Sequence, residues 1–226
     1  RVVDQMALAA EKRIGRASLA CVPSFASQLL PRLLDAFASR YPAVQLSVED
    51  DTAHTVQRRV LQQRVDFGAA SQWELDPNLD FQPFLQDQMG LVCRRDHPLA
   101  RIDRALAWAD LAGHTLITNG TVRLLDGTPA QHAMAGAQFS VSNIISLLAT
   151  LRAGIGVTAL PELALADDDP ELCFLPLSAP HVEREIGLLT PRRQSLSPAA
   201  AALRDTILEL QAGNRDPGQA SPSGTD

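Results

Sequence analysis

Apolar positions along the chain follow two rhythms, one of period two and one close to 3.6 residues. Ile14, Leu19, Cys21 and Val22 form a strand-like run over 14–22, broken by Pro23-Ser24. Leu29, Leu30, Leu33, Leu34 and Phe37 then fall at helical spacing. That helix must end before Tyr41-Pro42, because a residue ahead of proline avoids the helical region. Val44, Leu46 and Val48 alternate as in a strand. Asp51 or Thr52 can cap a following helix whose Val56, Val60 and Leu61 face a core. Residues 66–70 complete a βαβαβ unit, which argues for a parallel sheet with right-handed crossovers.

An extended stretch over 81–94 crosses Pro83 and could carry the chain into a second structural unit. Strands are expected at 115–118 and 138–141, followed by a helix capped by Ser142 with Ile144, Ile145, Leu148 and Leu151. Gly154 stands at the C′ position of that helix. Further strands are expected at 155–160, 172–177 and 184–190. Ser197-Pro198 opens a last helix with Leu203, Ile207 and Leu210 on its apolar stripe. Residues 1–13 read as the end of a linker helix, and 213–226, rich in Gly, Pro, Ser, Asn and Asp, as a disordered tail.

Composition narrows the function. The chain has 226 residues, 46% of them apolar and 20% charged, which suits one large or two small cores. Its net charge of −6 speaks against an isolated nucleic-acid binder. Arg58, Arg59 and Arg64 read as a solvated helix face rather than a phosphate-binding one. Three widely spaced Cys, at 21, 93 and 173, make neither a disulfide framework nor a zinc site and read as buried free thiols. No apolar run is long enough for a membrane span.

No chemistry-bearing motif stands out. There is no dinucleotide or P-loop glycine pattern, no nucleophile elbow, and no ligand spacing among the five His. Asp167-Asp168-Asp169 lacks the Gly and distal Glu of a calcium loop and reads as an exposed acidic loop. Neither a metal nor a cofactor is expected. What recurs is a run of strand ends passing into hydroxyl-rich turns: Pro23-Ser24, Asp51-Thr52, Ala70-Ser71, Thr118-Asn119-Gly120 and Ser142-Asn143. Ligands of open α/β sheets bind outside the carboxyl ends of strands, where helix N-termini favour anions. Each such residue alone could equally be a plain helix cap.

Several motifs resemble LysR-type transcriptional regulators. Leu29-Leu30-Pro31, Phe37, Tyr41-Pro42 and Val44-x-Leu46 are similar to one family signature, and Val65-Asp66-Phe67-Gly68 to the family's third strand. Leu91-Val92 with His97-Pro98-Leu99-Ala100 is similar to another. So are Leu151-x-Ala153-Gly154-x-Gly156-x-x-x-Leu160-Pro161 and Leu196-Ser197-Pro198-Ala199-Ala200. Their order and spacing run over about 14–211.

The resemblance implies an α/β fold of two Rossmann-like lobes around a cleft, like a type 2 periplasmic binding protein. Lobe I would be 14–86 plus 188–212 and lobe II 87–187. It implies a cytoplasmic, non-enzymatic effector-sensing domain, with promoter DNA bound through a winged helix-turn-helix ahead of this chain. It implies a homodimer or homotetramer paired through helices near 53–64 and 143–153, and no membrane partner. The effector would be a small polar or anionic molecule, a carboxylate among the candidates. Carried over by position, Ser24, Thr52 and Ser71 would bind it from lobe I, and Thr118, Asn119, Ser142 and Asn143 from lobe II. His54 and Trp73 are secondary candidates at the cleft mouth, and Ser71 stands where some carboxylate-responsive members have Arg. The rival readings are a solute-binding protein of a transport system and a two-lobed enzyme, the latter disfavoured by the missing catalytic constellation.

Overall fold

The computed structural model describes residues 14–72 and 74–213. The expected linker helix over 1–13, Trp73 and the tail from 214 onward lie outside the described residues. Three parallel strands begin the chain: β1 (Ile14–Cys21), β2 (Ala43–Asp50) and β3 (Phe67–Ser71). Helix α1 (Pro23–Arg40) joins the first two and α2 (Ala53–Leu61) the last two. The first strand ends at Cys21, ahead of Pro23 as expected, and Pro23 opens α1 at its first turn, where a missing N–H costs nothing. In α2, Val56 and Val60 are buried while Leu61, expected in the core, is 37% exposed.

The long strand β4 (Leu79–Arg94) and the return strand β10 (Glu183–Pro191) pair antiparallel and link the first unit to the second. Between them lie β5 (Leu106–Ala107), β6 (Ile117–Thr118), β7 (Phe139–Ser140), α3 (Ile144–Arg152), β8 (Thr158–Pro161) and β9 (Leu172–Ser178). The final helix α4 spans Pro198–Ala212. The main sheet runs β2-β1-β3-β10-β4-β9-β5, with β8 also on β4; β6 and β7 form a separate parallel pair. In the β4–β10 ladder Ile186 faces Leu85 but Gly187 faces Pro83, so Phe84 is an extra residue. This bulge accommodates a proline that has no N–H to give the ladder. It also lets Phe84 reach Phe25 of α1 edge-on, ring centres 6.1 Å apart.

Packing divides the molecule. One core gathers Phe25, Leu33 and Phe37 of α1, Val56 and Val60 of α2, and Leu203 and Ile207 of α4 around β1–β3. Past the crossover, β4 sends Leu91 and Cys93 into a second core with Trp108 and Leu125, and Val92 into a third with Leu147 and Leu151. That alternation is the period-two geometry of a strand covered on both faces. The second unit is less regular than expected: its strands at 117–118 and 139–140 are two residues each, and 3₁₀ turns fill 98–101, 108–111 and 120–125. Asn143, not Ser142, caps α3, its Oδ1 accepting from the amides of Ile145 (3.0 Å) and Ser146 (3.2 Å).

Candidate functional site

In the parallel register Cys21 pairs with Asp50 and with Ala69, so β1, β2 and β3 end at one edge. The turns that follow, at Pro23-Ser24, Asp51-Thr52 and Ser71, therefore meet in space though they are far apart in sequence. Opposite them stand the start of the 120–125 turn and the N-terminus of α3. Between the two sides lies a cleft of about 570 Å³. At Thr52 the sides nearly touch: a Cβ on Gly120 would lie 3.3 Å from the Thr52 methyl.

Of the residues expected to bind an effector, Ser24, Thr52, Ser71, Asn119, Ser142 and Asn143 line this cleft, and so does His54. Thr118 does not; it is in β6, one residue below the lining. The polar atoms of several are already engaged. Thr52 Oγ1 accepts from the Thr55 amide (3.4 Å) and donates to Thr55 Oγ1 (3.1 Å), capping α2. Asn119 donates through Nδ2 to Thr158 Oγ1 (2.8 Å) and the Ala159 carbonyl (2.9 Å). Its Oδ1 accepts from the Thr121 amide and hydroxyl (2.8 and 2.6 Å). Asn119 thus has both ends of its amide bound within the fold and shapes the cleft wall. Ser24 and Ser71 are buried at the cleft floor.

Positive charge in the cleft comes from residues not expected there. Arg184 of β10 lines it, with a side chain only 4% exposed. Its guanidinium holds Asp87 in two places, Nε to Oδ1 at 2.7 Å and Nη2 to Oδ2 at 2.5 Å, and Nη2 donates to Ser24 Oγ at 3.1 Å. A signal existed in the sequence: Glu183, Arg184, Glu185, Ile186 alternate, and Arg184 shares the buried phase with Ile186. Arg123 also lines the cleft, exposed, with no carboxylate bound to it among the described residues. Asp50 and Asp51 border the other side, Asp51 paired with Arg59 at 3.0 Å. Beneath them, burial and then the Asp50 charge push the Cys21 thiol up to about 12, so it stays protonated.

A family model, the LysR substrate binding domain, matches residues 10–212. The chain belongs to the LysR substrate-binding domain family. A relative described as the uncharacterized HTH-type transcriptional regulator YbhD of Escherichia coli strain K12 is 27% identical over 208 residues. Those residues are 89% of this chain but 65% of that protein, so the chain spans just under two thirds of it. Among solved structures, the Synechocystis CcmR regulatory domain in complex with 2-PG is similar with a TM-score of 0.77. That match has 22% identity over 87% of this chain and 97% of the other. The effector-binding domain of QuiR in complex with shikimate gives 0.74, at 20% identity over 88% and 98% of the two chains. The fold is thus the two-lobed, type 2 periplasmic-binding-protein-like one.

Elsewhere in this LysR substrate-binding domain the remaining sequence candidates prove structural. Asp167 and Asp168 lie in an exposed loop as expected, but Asp169 is only 6% exposed: Oδ1 accepts from the Glu171 and Leu172 amides (3.0 and 2.8 Å), and Oδ2 pairs with Arg152 at 2.6 Å. Burial opposes its charge, yet those partners outweigh it and hold its pKa below the usual carboxylate value. Cys21 and Cys93 are buried free thiols as expected, whereas Cys173 is partly exposed, its Sγ 4.0 Å from that of Cys93. Among the described residues no three His, Cys, Asp or Glu stand where they could hold a metal. No helix among them is long and apolar enough to cross a membrane.

Proposed function

We propose that this chain is the effector-sensing part of a cytoplasmic LysR-type transcriptional regulator, and that it binds a small polar or anionic molecule in the cleft without chemical turnover. The observation that carries the reading is convergence. Three strand ends distant in sequence bring Ser24, Thr52 and Ser71 to one 570 Å³ cleft, facing Ser142 and Asn143. Similar folds hold 2-PG and shikimate, and relatives described as regulators favour this reading over a transport-type binding protein. Lobe I is 14–86 with 188–212 and lobe II is 87–187, which places most of the first core on one side and the other two on the opposite side.

A ligand bridging both lobes acts only through its different affinity for open and closed arrangements. The shift in lobe angle or subunit packing then repositions DNA-binding domains carried elsewhere in the whole protein, which binds promoter DNA as a homodimer or homotetramer. Thr52→Val tests the site. Losing the α2 cap costs about 1 kcal/mol and lowers the thermal midpoint by roughly 2–4 °C. A ligand at a hundred times its dissociation constant adds about 2.7 kcal/mol to the wild type. Across a panel of aromatic acids, dicarboxylates, amino acids and inorganic anions, the wild-type shift should vanish in Thr52→Val. A shift of equal size in both proteins would remove Thr52 from the site.

A further inference from the structure

We propose that Cys93 and Cys173 are a reversible oxidation site in the second half of the molecule: a small disulfide converts the two thiols to a cross-strand bond between β4 and β9, and a thiol restores them. The proposal is independent of the cleft and of what binds there.

Register brings the two sulfurs together. Cys93 of β4 pairs directly with Cys173 of β9 in the antiparallel ladder, although 80 residues separate them in sequence. Two places along the same register, the Arg95 amide donates to the Glu171 carbonyl at 2.9 Å. Hydrogen-bonded and non-hydrogen-bonded pairs alternate along such a ladder, so Cys93 and Cys173 occupy a hydrogen-bonded pair, with Cα atoms about 5.5 Å apart. Disulfides bridge Cα separations of roughly 4.4–6.8 Å. The sulfurs lie 4.0 Å apart, and Cys173 Sγ also donates to the Cys93 carbonyl at 3.7 Å. Rotation about the two Cα–Cβ bonds closes that gap to the S–S length of about 2.0 Å.

Surroundings divide the work between the two thiols. Cys93 is fully buried in the second core with Leu91 and Trp108, and burial, then the adjoining Cys173, hold its thiol above the usual pKa. It stays protonated and does not start the reaction. Cys173 sits at the edge of that core, partly exposed, where a small reagent reaches it. The Cys173 thiolate attacks one sulfur of the reagent; the reagent's S–S bond breaks, and one thiolate leaves and takes up the proton that Cys173 gave. The Cys93 sulfur then attacks Cys173 Sγ, the mixed disulfide breaks, and the second thiolate leaves with the Cys93 proton. Two protein thiols are oxidised and one small disulfide is reduced to two thiols. The product is uncharged, so oxidation puts no charge into the apolar core. Cys21 is the internal contrast: a fully buried free thiol in the other half, with no second thiol beside it.

The probe is cystamine, a small disulfide, mixed with its own thiol, cysteamine. The whole 226-residue chain is equilibrated in each mixture and quenched in acid. It is then unfolded, and its remaining thiols are capped with N-ethylmaleimide and counted by mass. The native chain should pass from three capped thiols to one, with Cys21 still capped and Cys93 joined to Cys173 in the peptide map. Excess dithiothreitol should restore all three. In urea the same bond has to close an 80-residue loop without the register that holds the sulfurs together. It should there need a mixture at least about tenfold more oxidising. In Cys93→Ala, cysteamine should stay attached to Cys173. Three thiols still capped in cystamine alone, a native wild type that stops with cysteamine on Cys173, a bond between two chains, or equal ease of oxidation in urea would each overturn the proposal.

Discussion

At the scale of single residues, the same side-chain chemistry does opposite work depending on what is already bonded to it. Asn119 and Asn143 both begin a helical turn at the cleft, but Asn119 has every polar atom committed, while Asn143 keeps its Nδ2 free of partners among the described residues. Sequence marks both as caps and cannot tell them apart, because the partners of Asn119 lie about 40 residues away in β8. His97 is a further case, and a testable one. Its Nδ1 accepts from the Leu99 amide at 3.2 Å, which requires that nitrogen to be unprotonated. Burial first, and then His114 with its ring centre 5.2 Å away, lower its pKa below 6.5 against an opposing pull from Asp96. The folded protein therefore holds fewer protons here than the unfolded chain, and the contribution to stability is present above 6.5 and lost as pH falls below it. His97→Asn keeps an acceptor for Leu99 but does not titrate. Its thermal midpoint should fall less steeply than that of the wild type from about pH 7 to about pH 5; parallel curves would show that His97 is not a source of the acid sensitivity.

At the scale of elements, the first βαβαβ unit was legible because apolar periodicity and turn chemistry agree there. Leu29, Leu33 and Phe37 mark one face of α1, and all three are buried. In the stretch 112–143 the strands expected at 115–118 and 138–141 are present but only two residues long, and the 3₁₀ turn at 120–125 went unread because it has no 3.6 period to detect. The bulge at Phe84 is likewise invisible, because it is a property of pairing with β10 and not of β4 alone. Of the cleft, the hydroxyl turns could be read directly, whereas alternation over 183–186 marks Arg184 only as inward-facing, and it becomes a cleft residue when β10 returns beside β4. One position ties element packing to the site. A Cβ on Gly68 of β3 would meet Val56 Cγ1 at 2.7 Å and Val60 Cγ2 at 3.1 Å, so α2 seats directly on the glycine. Gly68→Ala should cost about 1–3 kcal/mol by overpacking, read as a lower urea midpoint. It should also weaken effector binding, because lifting α2 displaces Thr52 at its N-terminus. Unchanged stability would mean that the helix yields freely and that its seat does not position the cap.

At the scale of the whole molecule, two strands carry the chain between the cores. Each half has its own packing, and across the cleft the two approach at Thr52 and Gly120, where a Cβ added to the glycine would lie 3.3 Å from the Thr52 methyl. The same geometry leaves apolar surface on the outer face of the second half: Ile145 in the first turn of α3 is 76% exposed and Phe139 on β7 48% exposed. Leu61, at the far end of α2, is 37% exposed on the other half. If two copies pair with α2 of one against α3 of the other, a two-fold axis repeats that contact and covers both patches at once. Ile145→Glu should then shift sedimentation at micromolar concentration toward the monomer. The monomer itself should not lose stability, because the side chain is already in water and a carboxylate in the first turn of a helix is mildly favourable. A variant that associates as the wild type does would place the subunit contact elsewhere, and a wild type that stays monomeric would mean that these helices do not pair in this chain.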